Sequence, residues 1–292
     1  MEVDGETSSN PEGVEASSNP EDVEANAAED PGEEEENIAA AGMAKTMAII
    51  GKNAHVLVIP FPAQGHMIPL LDLTHHLATA ATTNLTITIL VTPKNLPLLS
   101  QLLSSHPPIK TLLLPFPSHP SIPSHVENFQ DLPPDRLTAL IHALGQLYHP
   151  LLSWFQSQSS RPPSFILSDM FMGWTQRLAS HLGIKRIVFS PSGAMAFSVM
   201  CSLWLHLPNP DAPHDQTAVI AFDEIPNCPK YPWWKISPTY RACVGGDPAA
   251  EFIRDAFIAN VESWGLAWVR AHTERWVQLG IGGALVDVAR HV

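Results

Sequence analysis

The stretch His55-Val56-Leu57-Val58-Ile59-Pro60-Phe61-Pro62-Ala63-Gln64-Gly65-His66 decides the fold. His55 to Pro60 is a continuous apolar run, the pattern of a strand buried on both faces. Phe61 to His66 reads as a turn, and Met67 to Ala80 has helical spacing with Pro69 near its start. The alternation repeats downstream. Strands are predicted at Leu85 to Val91, Ile109 to Leu114, Phe165 to Ser168 and Ile184 to Phe189. Helices are predicted at Pro93 to Leu103, Phe171 to Leu182 and Ala194 to Leu207. Between them, Ser118 to Pro134 is a Pro-rich loop. Leu137, Leu140, Ile141, Leu144, Leu147, Tyr148, Leu151, Leu152 and Phe155 recur at three and four, which predicts one long amphipathic helix. Strands alternating with helices mean βαβ units and an α/β fold with a doubly wound parallel sheet.

The composition supports a packed body. Of 292 residues, 45% are hydrophobic and 15% charged, below the roughly 25% charged that is usual for soluble domains. The net charge of -13 is uneven. All of the excess lies in the first 42 residues, which hold 14 acids and no Lys or Arg. There Ser8 to Ala16 is repeated, with small changes, as Ser17 to Ala25, and Glu33 to Glu36 follows. So few large apolar residues cannot offset the entropy of ordering, so residues 1–46 read as a disordered acidic head. That head reads either as an interaction tail or as a solvated extension or mis-called upstream start, with Met43 or Met47 as the initiator. The body has no basic excess to neutralise a phosphate backbone, which argues against nucleic-acid binding. Cys201, Cys228 and Cys243 are too few and scattered for a disulfide framework or a zinc site. The acidic, polar N-terminus is unlike a signal or transit peptide, and the few cysteines fit a reducing compartment, so the expectation is a cytoplasmic protein. Ile187 to Leu207 lacks Asp, Glu, Lys and Arg, but its Pro, Gly and serines favour a buried strand, turn and helix over a stable membrane span.

Ligands of doubly wound sheets sit beyond the carboxyl ends of the strands. Two candidates lie there: His66, after the first strand, and Asp169, after Phe165-Ile166-Leu167-Ser168. A His at a helix N-terminus feels the positive end of the macrodipole, which favours neutral imidazole. A carboxylate on its far nitrogen would fix the tautomer and stabilise the imidazolium formed on proton uptake. The alternative is that His66 caps a helix and Asp169 makes a loop hydrogen bond. Other constellations are weaker. Gly51-Lys52 is not a phosphate loop, and Gly280-Ile281-Gly282-Gly283 reads as a turn that follows no clear strand. No Gly-x-Ser-x-Gly elbow occurs. His75-His76, His119 and His125 read as surface or packing histidines, with no metal site expected. Trp233-Trp234 could line an apolar acceptor pocket or staple a loop to the core.

With these residues in place, a family resemblance appears. Val56 to Leu71, with Pro60-Phe61-Pro62-Ala63-Gln64-Gly65-His66-Met67-Ile68-Pro69, resembles the first strand and turn of plant family 1 UDP-dependent glycosyltransferases. Phe165 to Phe171 with Trp174 and Ala179 to Ile184, Phe189 to Ala194, and Asp223 to Pro229 resemble later motifs of that family. The similarity runs from about His55 to Leu266 and is strongest to the group that glucosylates flavonols and small phenolic acids. The resemblance implies a GT-B fold, of which residues 47–266 are the N-terminal, Rossmann-like acceptor-binding domain. It implies an inverting O-glycosyl transfer in which His66 takes the acceptor proton and Asp169 orients His66. It places Ser190 or Ser192 near the donor phosphates or sugar. It implies a UDP-sugar such as UDP-glucose as co-substrate, a phenolic or flavonoid acceptor, and neither a further cofactor nor a metal.

The family's donor motifs do not occur in this sequence: Trp-x-Pro-Gln, His-Cys-Gly-Trp-Asn-Ser and Glu…Asp-Gln. The departure begins near Ala267. The expectation is therefore that the C-terminal donor domain is missing, that residues 267–292 form a divergent tail, and that the chain is inactive alone. The alternative function is a non-catalytic acceptor-binding or interaction module.

Overall fold

The computed structural model describes residues 53–80, 85–158, 160–208, 215–244, 250–270 and 275–280. The acidic head expected over residues 1–46 lies outside them. The central sheet contains strands β1 (His55–Ile59), β2 (Thr86–Val91), β3 (Lys110–Leu113), β4 (Phe165–Asp169), β5 (Lys185–Ser190), β8 (Gly265–Arg270) and β9 (Arg275–Gly280). Their spatial order is β3-β2-β1-β4-β5-β8-β9. All neighbours pair in parallel except β8 with β9. Val219–Ile220 and Tyr231–Pro232, β6 and β7, form a separate antiparallel pair.

The alternation of side chains across the pleat builds two cores, as a sheet with helices on both faces requires. Leu57, Ile59, Ile166, Val188 and Leu266 point into one. Val56, Val58, Phe165, Leu167, Ile187 and Phe189 point into the other. The second core is covered by α1 (Gln64–Ala80), through Met67, Leu70, Leu73 and Leu77, and by Leu102 of α2 (Ser100–Ser105). The first is covered by α3 (Leu137–Gly145), α4 (Tyr148–Ser157), α5 (Trp174–Leu182), α6 (Ala194–His206), α7 (Pro238–Val244) and α8 (Ala250–Val261). Successive strands run outward from β1 in opposite directions, so the chain reverses between β1 and β4. That point is where an open α/β sheet leaves a crevice for ligand.

Several expectations are revised. The helix predicted from Leu137 to Phe155 is two helices, broken after Gly145. Pro150 has no N–H for the Gln146 carbonyl and its ring crowds that group, so the helix cannot run through. Phe252 occupies the space beside Gly145, where an added Cβ would lie 2.6 Å from its ring. The helix predicted from Pro93 is a 3-10 turn at Leu96–Leu99 followed by the short α2. Helix α1 starts at Gln64, so His66 sits inside its first turn rather than ahead of it.

The sheet also continues past Leu266. Ala267 and Trp268 are buried and pair with Phe189 and Ser190, so the boundary expected after residue 266 falls inside β8. Gly280 ends β9, so the Gly cluster does follow a strand, while residues 281–283 lie outside the described set. Among the described residues no helix is long and apolar enough to cross a membrane, and Ile187 to Leu207 divides between β5 and α6.

Candidate active site

The first turn of α1 delivers His66 to the crevice. Ala63 accepts from the N–H groups of His66, at 3.0 Å, and Met67, at 2.8 Å. Pro69 lies inside α1 and cannot donate to the Gly65 carbonyl. The turn is also held from outside. Phe129 N–H donates to the Pro62 carbonyl at 2.8 Å. The Phe129 loop is itself fixed by buried amides. Asn128 Nδ2 donates to Asn95 Oδ1, and Asn95 Nδ2 donates to Thr92 Oγ1, each at 2.8 Å.

Asp169 is the last residue of β4 and is fully buried. His66 Nδ1 and Asp169 Oδ2 are 2.8 Å apart, although the residues are 103 apart in sequence. The second oxygen, Oδ1, accepts from Phe171 N–H at 2.8 Å. A carboxylate accepts and does not donate, so Nδ1 carries a proton toward Asp169, and in the neutral imidazole Nε2 is then the nitrogen with the lone pair. Among the described residues Nε2 makes no hydrogen bond. One fifth of the His66 side chain stays exposed. The imidazole stacks on Phe171, with ring centroids 4.8 Å apart and planes 25° apart, and meets Phe61 edge-on at 5.4 Å. These two rings fix the ring plane. The composition of the arrangement is that of an oriented base: an imidazole locked in one tautomer, with a free nitrogen at the edge of the protein.

The other candidates separate. Ser190 is fully buried, and its hydroxyl is spent on the Ser192 backbone: it accepts from Ser192 N–H at 3.2 Å and donates to Ser192 O at 3.1 Å. Ser192 is half-buried. Trp233 is buried in the core against Tyr240, which makes it the staple, whereas Trp234 is 54% exposed. An aromatic chain links this loop to the His66 pocket. Phe171 meets Phe257, Phe257 stacks on Trp204, and Trp204 meets Tyr240. His75 and His106 share a 2.8 Å contact at the surface. Burial pushes the Cys201 thiol up to about 12, which removes it as a nucleophile. Among the described residues no group of three or more His, Cys, Asp or Glu is placed to hold a metal ion. A groove of about 400 Å³ lies between α5 and α8, lined by Trp174, Arg177, Phe252 and Asp255, apart from the four candidate residues.

Sequence reasoning did not single out Phe61, Phe171 or Arg186. The two Phe residues lie inside the quoted motifs, but only the fold turns their rings onto His66. Arg186 is the buried second residue of β5, where burial pulls its pKa down to about 9 and Asp169 opposes that fall. A charged residue directly before the apolar Ile187-Val188-Phe189 run was the available signal.

No family model matches the chain. Over 226 residues it is 54% identical to UDP-glycosyltransferase 89B2 of Stevia rebaudiana, covering 77% of this chain and 47% of that one. Over 212 residues it is 57% identical to a flavonol 3-O-glucosyltransferase of Arabidopsis thaliana, covering 73% of this chain and 44% of the relative. The chain thus spans about half the length of the curated relatives it matches. Among solved structures, Arabidopsis thaliana UGT89C1 complexed with quercetin superposes with a TM-score of 0.55 at 35% identity, over 75% of this chain and 44% of that one. In sequence and in fold, the domain is similar to the N-terminal, GT-B-type portion of plant UDP-glycosyltransferases.

Proposed function

We propose that this chain supplies the acceptor-binding and proton-abstracting part of an inverting, UDP-sugar-dependent O-glycosyl transfer. The acceptor is a flavonol or another small phenolic and the sugar is glucose. The observation that carries this reading is the 2.8 Å contact between His66 and Asp169 at the strand reversal, with Nε2 left uncommitted. His66 Nε2 takes the proton from the acceptor hydroxyl. The oxygen then bonds to the anomeric carbon as the bond from that carbon to UDP breaks, with inversion. Asp169 holds the imidazole in place and stabilises the imidazolium formed. Phe171, half-buried and stacked on His66, gives a flat phenolic ring an apolar wall beside the base, and the buried Phe61 backs it. Of the two serines, Ser192 is the better candidate for a donor contact, because the Ser190 hydroxyl already bonds to the Ser192 backbone.

The choice of substrates is supported by relatives. One is named as a flavonol 3-O-glucosyltransferase, and UGT89C1 has been solved with UDP-L-rhamnose and with quercetin. The test has two parts. Binding of quercetin to the full chain is followed by tryptophan fluorescence. Turnover is measured by mass spectrometry after residues 53–270 replace the matching portion of the Stevia rebaudiana relative. Glucoside formation that falls by about 10² to 10⁴ in His66→Ala, with quercetin binding retained, is the expected result. Undiminished turnover in His66→Ala would overturn the assignment of the base. Binding without any turnover in the fusion would leave an acceptor-binding module.

A further inference from the structure

Asp169 poses an electrostatic problem. It is fully buried, and its two oxygens have one donor each, His66 Nδ1 and Phe171 N–H. An isolated buried carboxylate is costly to keep ionised. If His66 is to accept a proton it must be neutral at rest, so it cannot be the resting counter-ion. Another positive charge is needed within the protein.

Arg186 meets that description. It lies on β5, which pairs in parallel with β4, and it is 1% exposed. Its Nε donates to Ser168 Oγ at 2.7 Å and its Nη2 to the Asp169 carbonyl at 3.2 Å. Its Nη1 donates to Asn260 Oδ1 at 2.9 Å and Ser263 Oγ at 2.7 Å. All four acceptors are neutral. Among the described residues no carboxylate oxygen lies within 4.0 Å of the guanidinium. Asn260 in turn donates to the Met170 carbonyl at 2.9 Å, and Ser168 is bonded to Thr175 at 2.8 Å. The guanidinium thereby grips the chain at residues 168, 169 and, through Asn260, 170. It clamps the backbone that aims the Asp169 side chain.

We infer that Arg186 is a positioning residue for the His66–Asp169 pair, supplying the counter-charge of the buried carboxylate and fixing its backbone. The inference rests on the reading of His66 as the base. Its rival is that Arg186 only ties α8 to the sheet. The two differ in what they move: a tie affects stability, whereas a counter-charge also affects how tightly the pair holds a proton. Facing Arg186 are Ser168 and Asp169 from β4, Asn260 from the last turn of α8 and Ser263 just beyond it; facing His66 are Phe61, Phe171 and Asp169. Asp169 and Arg186 are the acidic and basic side chains of that set, and His66 is the imidazole they face. Removing a positive charge, or adding a negative one, tightens proton binding by the coupled pair whichever member holds the proton.

The test is nitrogen-15 NMR of the His66 imidazole in the full chain as pH is varied, with the pH–rate profile of the fusion alongside. In Arg186→Met the His66 midpoint should move up by about one pH unit, a ten-fold gain in proton affinity. Arg186→Lys, which keeps the charge, should restore it to near the parent value. Asn260→Asp keeps Arg186 and sets a carboxylate against it, so it should move the midpoint up as well; it also decides the matter if Arg186→Met does not fold. Ser263→Ala removes a neutral bond and should leave the midpoint in place. Midpoints unchanged in both Arg186→Met and Asn260→Asp, with only a loss of stability, would overturn the inference. Because the NMR readout needs no turnover, an active His66→Ala enzyme would sink the base assignment without deciding the Arg186 result.

Discussion

His55 and His66 stand at opposite ends of β1 and show how partner and exposure set the role of one residue type. His55 is buried, with Nδ1 donating to the Arg161 carbonyl and Nε2 accepting from the Thr88 hydroxyl, both at 2.8 Å. Both nitrogens are used, both partners are neutral, and burial pulls its pKa below 6.5. His66 spends one nitrogen on a carboxylate and keeps the other free at the open edge of the sheet. The first is a tie between β1, β2 and the segment before β4. The second has the parts of a base. The lesson is that the carboxyl end of a strand at the reversal point is where a ring nitrogen can be left unspent.

The strongest way to break the comparison is to remove each ring in turn. In the fusion enzyme, His66→Ala and Asp169→Asn should each lower turnover by about 10² to 10⁴, while His55→Ala should change it by less than about ten-fold. Equal losses at both ends would erase the distinction. Stability should reverse the order. His55→Ala orphans the Thr88 hydroxyl and the Arg161 carbonyl and should lower the unfolding free energy by about 1–3 kcal/mol in urea melts, more than His66→Ala does.

Phe171→Leu keeps an apolar contact but loses the stacked ring. A pair of this kind contributes about 0.5–1.5 kcal/mol, so turnover should fall by up to about ten-fold. A pH series sharpens the contrast further. Because the folded pKa of His55 is lowered, the unfolded chain binds a proton there that the folded chain resists. The stability contributed by His55 is complete above about pH 6.5 and is lost as the pH falls toward the folded value. Urea midpoints of the parent should therefore decline more steeply below that pH than those of His55→Gln; parallel curves would count against it. The smallest effect belongs to Trp234→Ala, which should leave stability within about 0.5 kcal/mol because the ring is exposed.

Much of this was legible from the chain. Continuous runs such as Val56 to Ile59 and Phe165 to Leu167 marked strands buried on both faces, and the strand-end rule then selected His66 and Asp169. What was not legible depends on distant neighbours. Helical periodicity ran straight through Gln146, because it counts apolar spacing and ignores a proline four residues on. At Gly173 an added Cβ would lie 2.1 Å from the Ala256 carbonyl oxygen, so α5 and α8 cross there at backbone contact. Ser190 looked available for a ligand until the turn after β5 consumed its hydroxyl.

The sequence by itself determined the α/β architecture, because a strand covered on both faces must be apolar at nearly every position and such runs are visible locally. It also determined the residue types at the strand ends. Only the tertiary structure decided that His66 and Asp169 meet, since that contact needs β1 and β4 to be neighbours although 103 residues separate the two side chains. It likewise decided that Arg186 sits against Asp169, since the charges and hydrogen bonds of a buried cluster come from segments that no local pattern connects.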